Sequence, residues 1–317
     1  MRIAVFGAGA IGGFIAAALA RSGIEVAIVA RGAHLRAIQR QGLRVRSELG
    51  DFTVKPQASD DLRRLGDFSF VLLTFKAHDW RNALPQMDSA IASGAAFVTL
   101  QNGLPFWAID GWQLETVDPG GSIAATIPRR SIIGGVVHAS GSVAEPGLIV
   151  QSGGRVYPLG ELDGSVTPRL RDLANAFQEA GLEAPIEPDI RKIVWRKLLG
   201  NLAFNPISAL TGATMTQMLT RPHLRALALS IMEEGLAVAR ADGVEIGVSL
   251  DERLRMAERT GDVKTSMLQD LENGRPLELE PINGAIVELA RRLNVAVPRT
   301  ETVYALAKAL DGSRSAR

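Results

Sequence analysis

The chain has no cysteine among its 317 residues, which excludes disulfides, thiolate metal sites and a cysteine nucleophile. Histidine is nearly as rare. His34, His78, His138 and His223 are the four present, and no two share a metal-ligand spacing. A zinc enzyme and a histidine-paired serine hydrolase are therefore disfavoured. Charge of one sign is also missing: 35 basic and 34 acidic residues leave a formal net charge of +1. No bulk field points to nucleic acid or a membrane surface. The apolar run at residues 14–20 stops at Arg21, well short of the ~20 residues needed to span a bilayer. With no secretory or membrane segment visible, the expectation is a cytoplasmic enzyme. Lysine is scarce as well, occurring only at 55, 76, 192, 197, 264 and 308. One of these lysines set among conspicuous polar neighbours carries more information than it would in a lysine-rich chain.

What is present begins at once. Residues 2–6 read as a short buried strand, followed directly by Gly7-Ala8-Gly9-Ala10-Ile11-Gly12 and then by a helical stretch to Arg21. That strand, glycine turn and helix order is what a dinucleotide site demands. Gly7 makes the tight turn, Gly9 lets the backbone approach a pyrophosphate and Gly12 allows close helix–strand packing. The amides at the helix start then face the phosphates. A second strand, residues 25–30, ends in Arg31-Gly32-Ala33-His34-Leu35-Arg36. An NAD site places an acid near this point for the ribose 2′-hydroxyl. Here Arg31 stands instead, so the expected cofactor is NADP, with Arg31 as its main discriminator.

Strand–helix alternation continues. Residues 68–75 form an apolar strand running into Lys76-Ala77, a helix follows over about 79–92, and residues 95–100 form a strand ending in Gln101-Asn102-Gly103. Lys76 and Asn102 thus occupy carboxyl ends of strands, where open parallel sheets bind ligands. Residues 104–130, with Trp107, Trp112 and Asp118-Pro119-Gly120-Gly121, read as an ordered loop or short irregular helix. Residues 132–159 read as short antiparallel hairpins extending the sheet. A helix over about 167–180 closes the first half. The steps Ala184-Pro185 and Glu187-Pro188 mark a linker. The expected division is a Rossmann-type α/β domain over 1–187 and an all-helical domain over 188–317.

The second half shows no period-two alternation. Its helices are placed at about 221–241, 250–259, 266–272, 277–293 and 300–310, after an opening helix that carries Lys197, Asn201 and Asn205. These three are spaced four apart and form one stripe, with Leu198, Leu199, Leu202, Ala203 and Phe204 between them. Two readings are open: a lysine on the solvent face, or a buried polar stripe whose charge costs free energy that function must justify. Pro281 is tolerated only in a first turn, which puts Glu278 at or near a helix N-terminus. A carboxylate there can also simply complement the helix dipole. Leu224, Leu227, Ile231 and Leu236 offer a possible homodimer face, although such spacing is more often core.

Taken in order, Gly7-x-Gly9-x-x-Gly12, Lys76-Ala77, Gln101-Asn102-Gly103, Trp195-Arg-Lys197-x-x-x-Asn201-x-x-x-Asn205-Pro206, Ser266-Met-Leu-Gln-Asp270 and Glu278-x-Glu280-x-x-Asn283-Gly284 resemble the ketopantoate reductases (2-dehydropantoate 2-reductases) over almost the whole chain. The resemblance implies NADPH-dependent reduction of 2-dehydropantoate to (R)-pantoate, on the route to pantothenate and coenzyme A. It implies Lys197 as general acid, Glu278 as the acid orienting it, and Asn201 and Asn205 as ligands of the substrate's hydroxyl end. Ser266 is implied as a carboxylate ligand, and Lys76 and Asn102 as residues near the nicotinamide and the lysine. The substrate is then expected in the cleft between domains. Glu280, where aspartate is frequent, and the longer 104–130 loop depart from the pattern. The loop leaves open the same machinery acting on another branched 2-oxo acid; a separate alternative is a dinucleotide-binding regulator without catalysis.

Overall fold

The structure is a computed structural model that describes residues 1–109, 111 and 113–315, so Trp112 lies outside the described residues. Two compact units emerge: Met1–Gln101 with Ser122–Ile190, and Asn102–Gly121 with Arg191–Arg317. No helix of the described residues is long and apolar enough to cross a membrane.

The first unit runs β1 (Arg2–Phe6), α1 (Ala10–Arg21), β2 (Glu25–Val29), α2 (Gly32–Gln41), β3 (Leu43–Ser47), β4 (Gly50–Val54), β5 (Gln57–Ser59), β6 (Phe70–Leu73), α3 (Trp80–Ala83), α4 (Asp88–Ala92), β7 (Ala96–Thr99), α5 (Ser122–Thr126), β8 (Ile132–Gly135), β9 (His138–Glu145), β10 (Leu148–Val156), β11 (Leu159–Glu161) and α6 (Pro168–Glu179). Seven strands form one sheet in the order β11-β8-β7-β6-β1-β2-β5, parallel except for the β11–β8 pair. The central strands are buried on both faces, as their unbroken apolar runs require. From β1 the chain moves outward to β2 and β5, then crosses back to β6 on the other side of β1. The gap between β1 and β6 is therefore the topological switch point, where sheets of this kind take their ligands.

Residues 132–159 do not all extend this sheet. β8 and β11 join it, but β9 and β10 leave to form a second, four-stranded sheet in the order β4-β3-β10-β9. β3 and β4 give little apolar signal because most of their residues are only partly buried or exposed, and β3 finds its partner about a hundred residues away. The stretch over 79–92 is likewise broken. α3 and α4 are separated by a 3₁₀ turn at Leu84–Gln86, since Pro85 cannot continue a helix. α6 starts as its sequence suggests: Thr167 accepts a hydrogen bond from the Leu170 amide, with Pro168 in the first turn.

The second unit is helical: α7 (Ile190–Thr211, beginning at the unit boundary), α8 (Met215–Thr220), α9 (Pro222–Ala241), α10 (Leu250–Glu258), α11 (Ser266–Glu272), α12 (Ala285–Arg292) and α13 (Pro298–Ser315). α9 packs against α8, α10, α12 and α13. Its buried Glu234 caps α13, accepting from the amides of Arg299 (3.0 Å) and Thr300 (2.8 Å) and from the Thr300 hydroxyl (2.7 Å). The segment after Asn102 is ordered in this unit by a comparable device. Glu288 on α12 accepts from the amides of Glu115 and Thr116, both at 3.0 Å, and is paired with Arg292 at 2.7 Å.

Candidate active site

In the first unit the three glycines differ in what surrounds them. Gly7 has φ +108°, and a Cβ there would lie 2.5 Å from the Phe75 amide nitrogen. At Gly12 a Cβ would lie 2.3 Å from both the Gly7 carbonyl oxygen and Thr74 Oγ1. Gly9 instead has open space beside it, with nothing within 4 Å. The turn is thus closed on its inner side and open on its outer one. The amides of Gly7 and Ala8 are engaged with the Val29 carbonyl (3.1 and 3.2 Å), and that of Gly9 with the Gly7 carbonyl (2.8 Å). The first-turn amides of α1, starting at Ala10 and Ile11, lack helical acceptors. Thr74 locks the turn to β6, donating to the Gly7 carbonyl at 2.8 Å.

A groove of about 370 Å³ lies in front of this turn, lined among others by Gly9, Ala30, Arg31, His34, Lys76 and Asp79. Lys76 is half-buried at the carboxyl side of β6. Arg31 is exposed and makes an ion pair with Asp79 at 3.2 Å. No acid stands at the end of β2; this one arrives from the segment after β6. His34 accepts a hydrogen bond from the Gly147 amide (3.0 Å), and burial holds its imidazole below the usual pKa. Neither Asp79 nor His34 stands in a motif that would mark it.

The second unit holds the lysine. Lys197 lies in the first half of α7 and is half-buried, flanked by the buried Val194, Trp195, Leu198 and Leu199. Its ammonium donates to Asn102 Oδ1 at 2.6 Å, and Asn102 Nδ2 donates to Glu278 Oε2 at 3.2 Å. The amide orientation follows from charge, since an ammonium can only donate and a carboxylate only accept. Burial pulls the Lys197 pKa down to about 8, while Glu278 opposes that shift. The residue is half-buried, between the two readings its sequence leaves open, with its ammonium held by Asn102.

What brings these three together is local. Gly103 has φ +89°, and a Cβ there would lie 2.4 Å from the Pro281 carbonyl oxygen, so only glycine fits. The next amide, Leu104, donates to that same carbonyl at 2.7 Å. Asn102 is thereby stitched to the turn that follows Glu278. That turn, Glu280–Gly284, is a π-helical widening just before α12, a feature often found at functional sites. Glu278 precedes it and is buried, with 8% of its surface exposed.

Pro206 explains the neighbouring motif. Lacking an N–H, it leaves the Leu202 carbonyl without its helical donor. Asn283 Nδ2 supplies the missing bond at 3.1 Å. Asn283 carries no mark in the sequence beyond its place before Gly284, although a mid-helix proline predicts an orphan carbonyl four residues back.

Asn205 is buried and Asn201 half-buried on the Lys197 face, and among the described residues neither side chain has a hydrogen-bond partner. Ser266 is the first residue of α11 and exposed; the capping role falls to Thr265, which accepts from the Leu268 amide. Glu280 turns away to the Tyr304 hydroxyl (2.8 Å) and Lys308 (2.9 Å).

A doubly wound sheet with a glycine turn at its switch point, together with a helical unit carrying a poised ammonium, defines an oxidoreductase of the dinucleotide-binding class. Residues 3–164 match the family model for ketopantoate reductase PanE/ApbA, and residues 189–311 match the model for its C-terminal part. A 2-dehydropantoate 2-reductase from Mesorhizobium japonicum is 42% identical over 319 residues, covering 98% of each chain. One from Halobacterium salinarum is 30% identical, covering 97% of this chain and 98% of the other. A crystal structure of a 2-dehydropantoate 2-reductase from Geobacter metallireducens superposes with a TM-score of 0.87 at 31% identity, over 98% of this chain and 99% of the other. The chain belongs to the ketopantoate reductase family.

Proposed function

We propose that the protein reduces 2-dehydropantoate to (R)-pantoate with NADPH, using Lys197 as general acid. The observation that carries this reading is the Lys197 ammonium, 2.6 Å from Asn102 and poised at about pH 8. The closed inner side and open outer side of the glycine turn fit a pyrophosphate, and the groove beside it fits a dinucleotide. When bound, the nicotinamide supplies the hydride.

Negative charge then develops on the substrate's carbonyl oxygen, which must be neutralised and protonated. Lys197 can do both: near pH 7 it is protonated, yet its lowered pKa makes proton release easier than for an exposed lysine. Glu278 keeps it protonated, and Asn102 fixes its direction. Asn201 and Asn205 offer unengaged amides to the substrate's hydroxyl end, and Ser266 a free hydroxyl.

NADP over NAD is favoured by Arg31. Its pair with Asp79 is half exposed on the arginine side and is worth at most about 1 kcal/mol, so a 2′-phosphate can recruit the guanidinium. The test is oxidation of NADPH and of NADH followed against a panel of 2-oxo acids. Turnover of ketopantoate with NADPH above all other pairings supports the reading. Turnover confined to other 2-oxo acids removes the substrate assignment, and preference for NADH removes the cofactor assignment.

A further inference from the structure

Among the described residues, the helical unit contains a guanidinium with no counter-ion. Arg253 on α10 is only partly accessible, and among the described residues its side chain forms no hydrogen bond or ion pair. Burial holds it below its usual pKa, with no carboxylate to push the other way. Charges withdrawn from water are normally paired, because an unpaired one is costly.

Its position is specific. A Cβ built at Gly200 would lie 1.9 Å from Arg253 Nη2, 2.8 Å from Cζ and 3.3 Å from Nε. The guanidinium is therefore laid against the bare backbone of α7. Glycine inside a helix is destabilising relative to alanine, and at position 200 it has this reason to be there. Gly200 follows Lys197 by three residues and Asn201 follows it by four, so each neighbours Lys197 on the helix surface.

We infer that Arg253, seated on Gly200, is the anion-binding residue of this site and takes the carboxylate of the 2-oxo acid whose carbonyl oxygen Lys197 protonates. The inference rests on the reductase reading above. In a 2-oxo acid the carboxylate carbon is bonded directly to the reacting carbonyl carbon, so the two groups need cations within one helical turn of each other. Arg253 lies against Gly200, three residues along the helix from Lys197. A guanidinium also presents two parallel donors, matching a carboxylate's two oxygens. Ser266, implied as a carboxylate ligand, can add one hydrogen bond but cannot neutralise the charge.

The experiment compares wild type, Arg253→Gln, Arg253→Lys and Gly200→Ala with ketopantoate and with its uncharged methyl ester. Arg253→Gln should raise KM for the acid about tenfold to a hundredfold, the worth of a charged hydrogen bond, with kcat changed far less. The preference for acid over ester in kcat/KM should collapse by a similar factor. Arg253→Lys should recover part of it. Gly200→Ala should mimic Arg253→Gln without lowering the melting temperature, because its methyl group expels the guanidinium while favouring the helix. It also carries the test if Arg253→Gln does not fold. Unchanged KM and unchanged acid-over-ester preference in these variants overturn the inference.

If the wild type reduces no 2-oxo acid at all, the reductase reading fails separately. Arg253 is then judged by calorimetric binding of oxamate to the full chain. Weaker binding in Arg253→Gln than in wild type supports an anion site; equal binding, or none to the wild type, overturns it.

Discussion

Glu278→Gln offers the sharpest probe of the Lys197 arrangement. Lys197 and Glu278 do not touch, because the Asn102 amide stands between them. Across an amide, roughly 6 Å, and at an effective dielectric constant of about 20–40, the two charges attract by about 1–3 kcal/mol. That corresponds to about one to two pKa units. The carboxylate favours the ammonium, so its removal lowers the lysine pKa further below its present value of about 8. A general acid must be protonated at the start of the step, so kcat/KM for the reduction should fall as pH rises through that value. This quantity reports the free enzyme. In Glu278→Gln the alkaline limb should move about one to two pH units down, and activity at pH 6 should suffer less than activity at pH 8. For the reverse oxidation the lysine acts as base, so the limb should have the opposite sign. A limb that stays in place or moves up in the variant would refute the coupling. Loss of activity that is uniform across pH would show that Glu278 acts on the substrate rather than through the lysine.

Lys197→Ala should lower turnover by about 10² to 10⁴, the range for a positioned acid, while fluorescence titration shows NADPH affinity largely kept. Arg31→Ala should raise KM for NADPH about tenfold or more and leave NADH nearly unchanged, as read by initial rates with each cofactor. Asn283→Leu should cost about 1–3 kcal/mol of unfolding free energy in urea, since the Leu202 carbonyl freed by Pro206 is then left unsatisfied. Lys197 also predicts a stability trend. Its folded pKa lies below the unfolded value of 10.5, so between about pH 8 and 10.5 the unfolded chain binds the extra proton. Unfolding free energy should therefore rise through that window, by on the order of 3 kcal/mol, relative to Lys197→Met.

Much of the candidate site is legible because its signals are local. The glycine turn declares itself through three residues at fixed offsets, each needed for a different steric reason. The Lys197 stripe is legible because helical periodicity places residues four apart on one face, and Glu278 because proline restricts where a helix can begin. The second sheet was not legible: β3 and β10 lie about a hundred residues apart and carry mostly half-exposed side chains. Asp79, which reaches Arg31, gave no signal either, since a lone acid in a turn looks like any other. Arg253 reads as one more arginine until Gly200 is seen beneath it.

From residue order alone follow the class of fold, the glycine turn and the polar stripe of Lys197, Asn201 and Asn205, because each depends on spacing within one strand, turn or helix. Tertiary structure decided the rest: that Asn102 turns to Lys197 and Glu278, that burial brings the ammonium to about pH 8, and that Asn283 completes the helix broken by Pro206. Desolvation and hydrogen bonding between distant residues exist only once the chain has closed around them, and those are the terms that set this lysine apart from an exposed one.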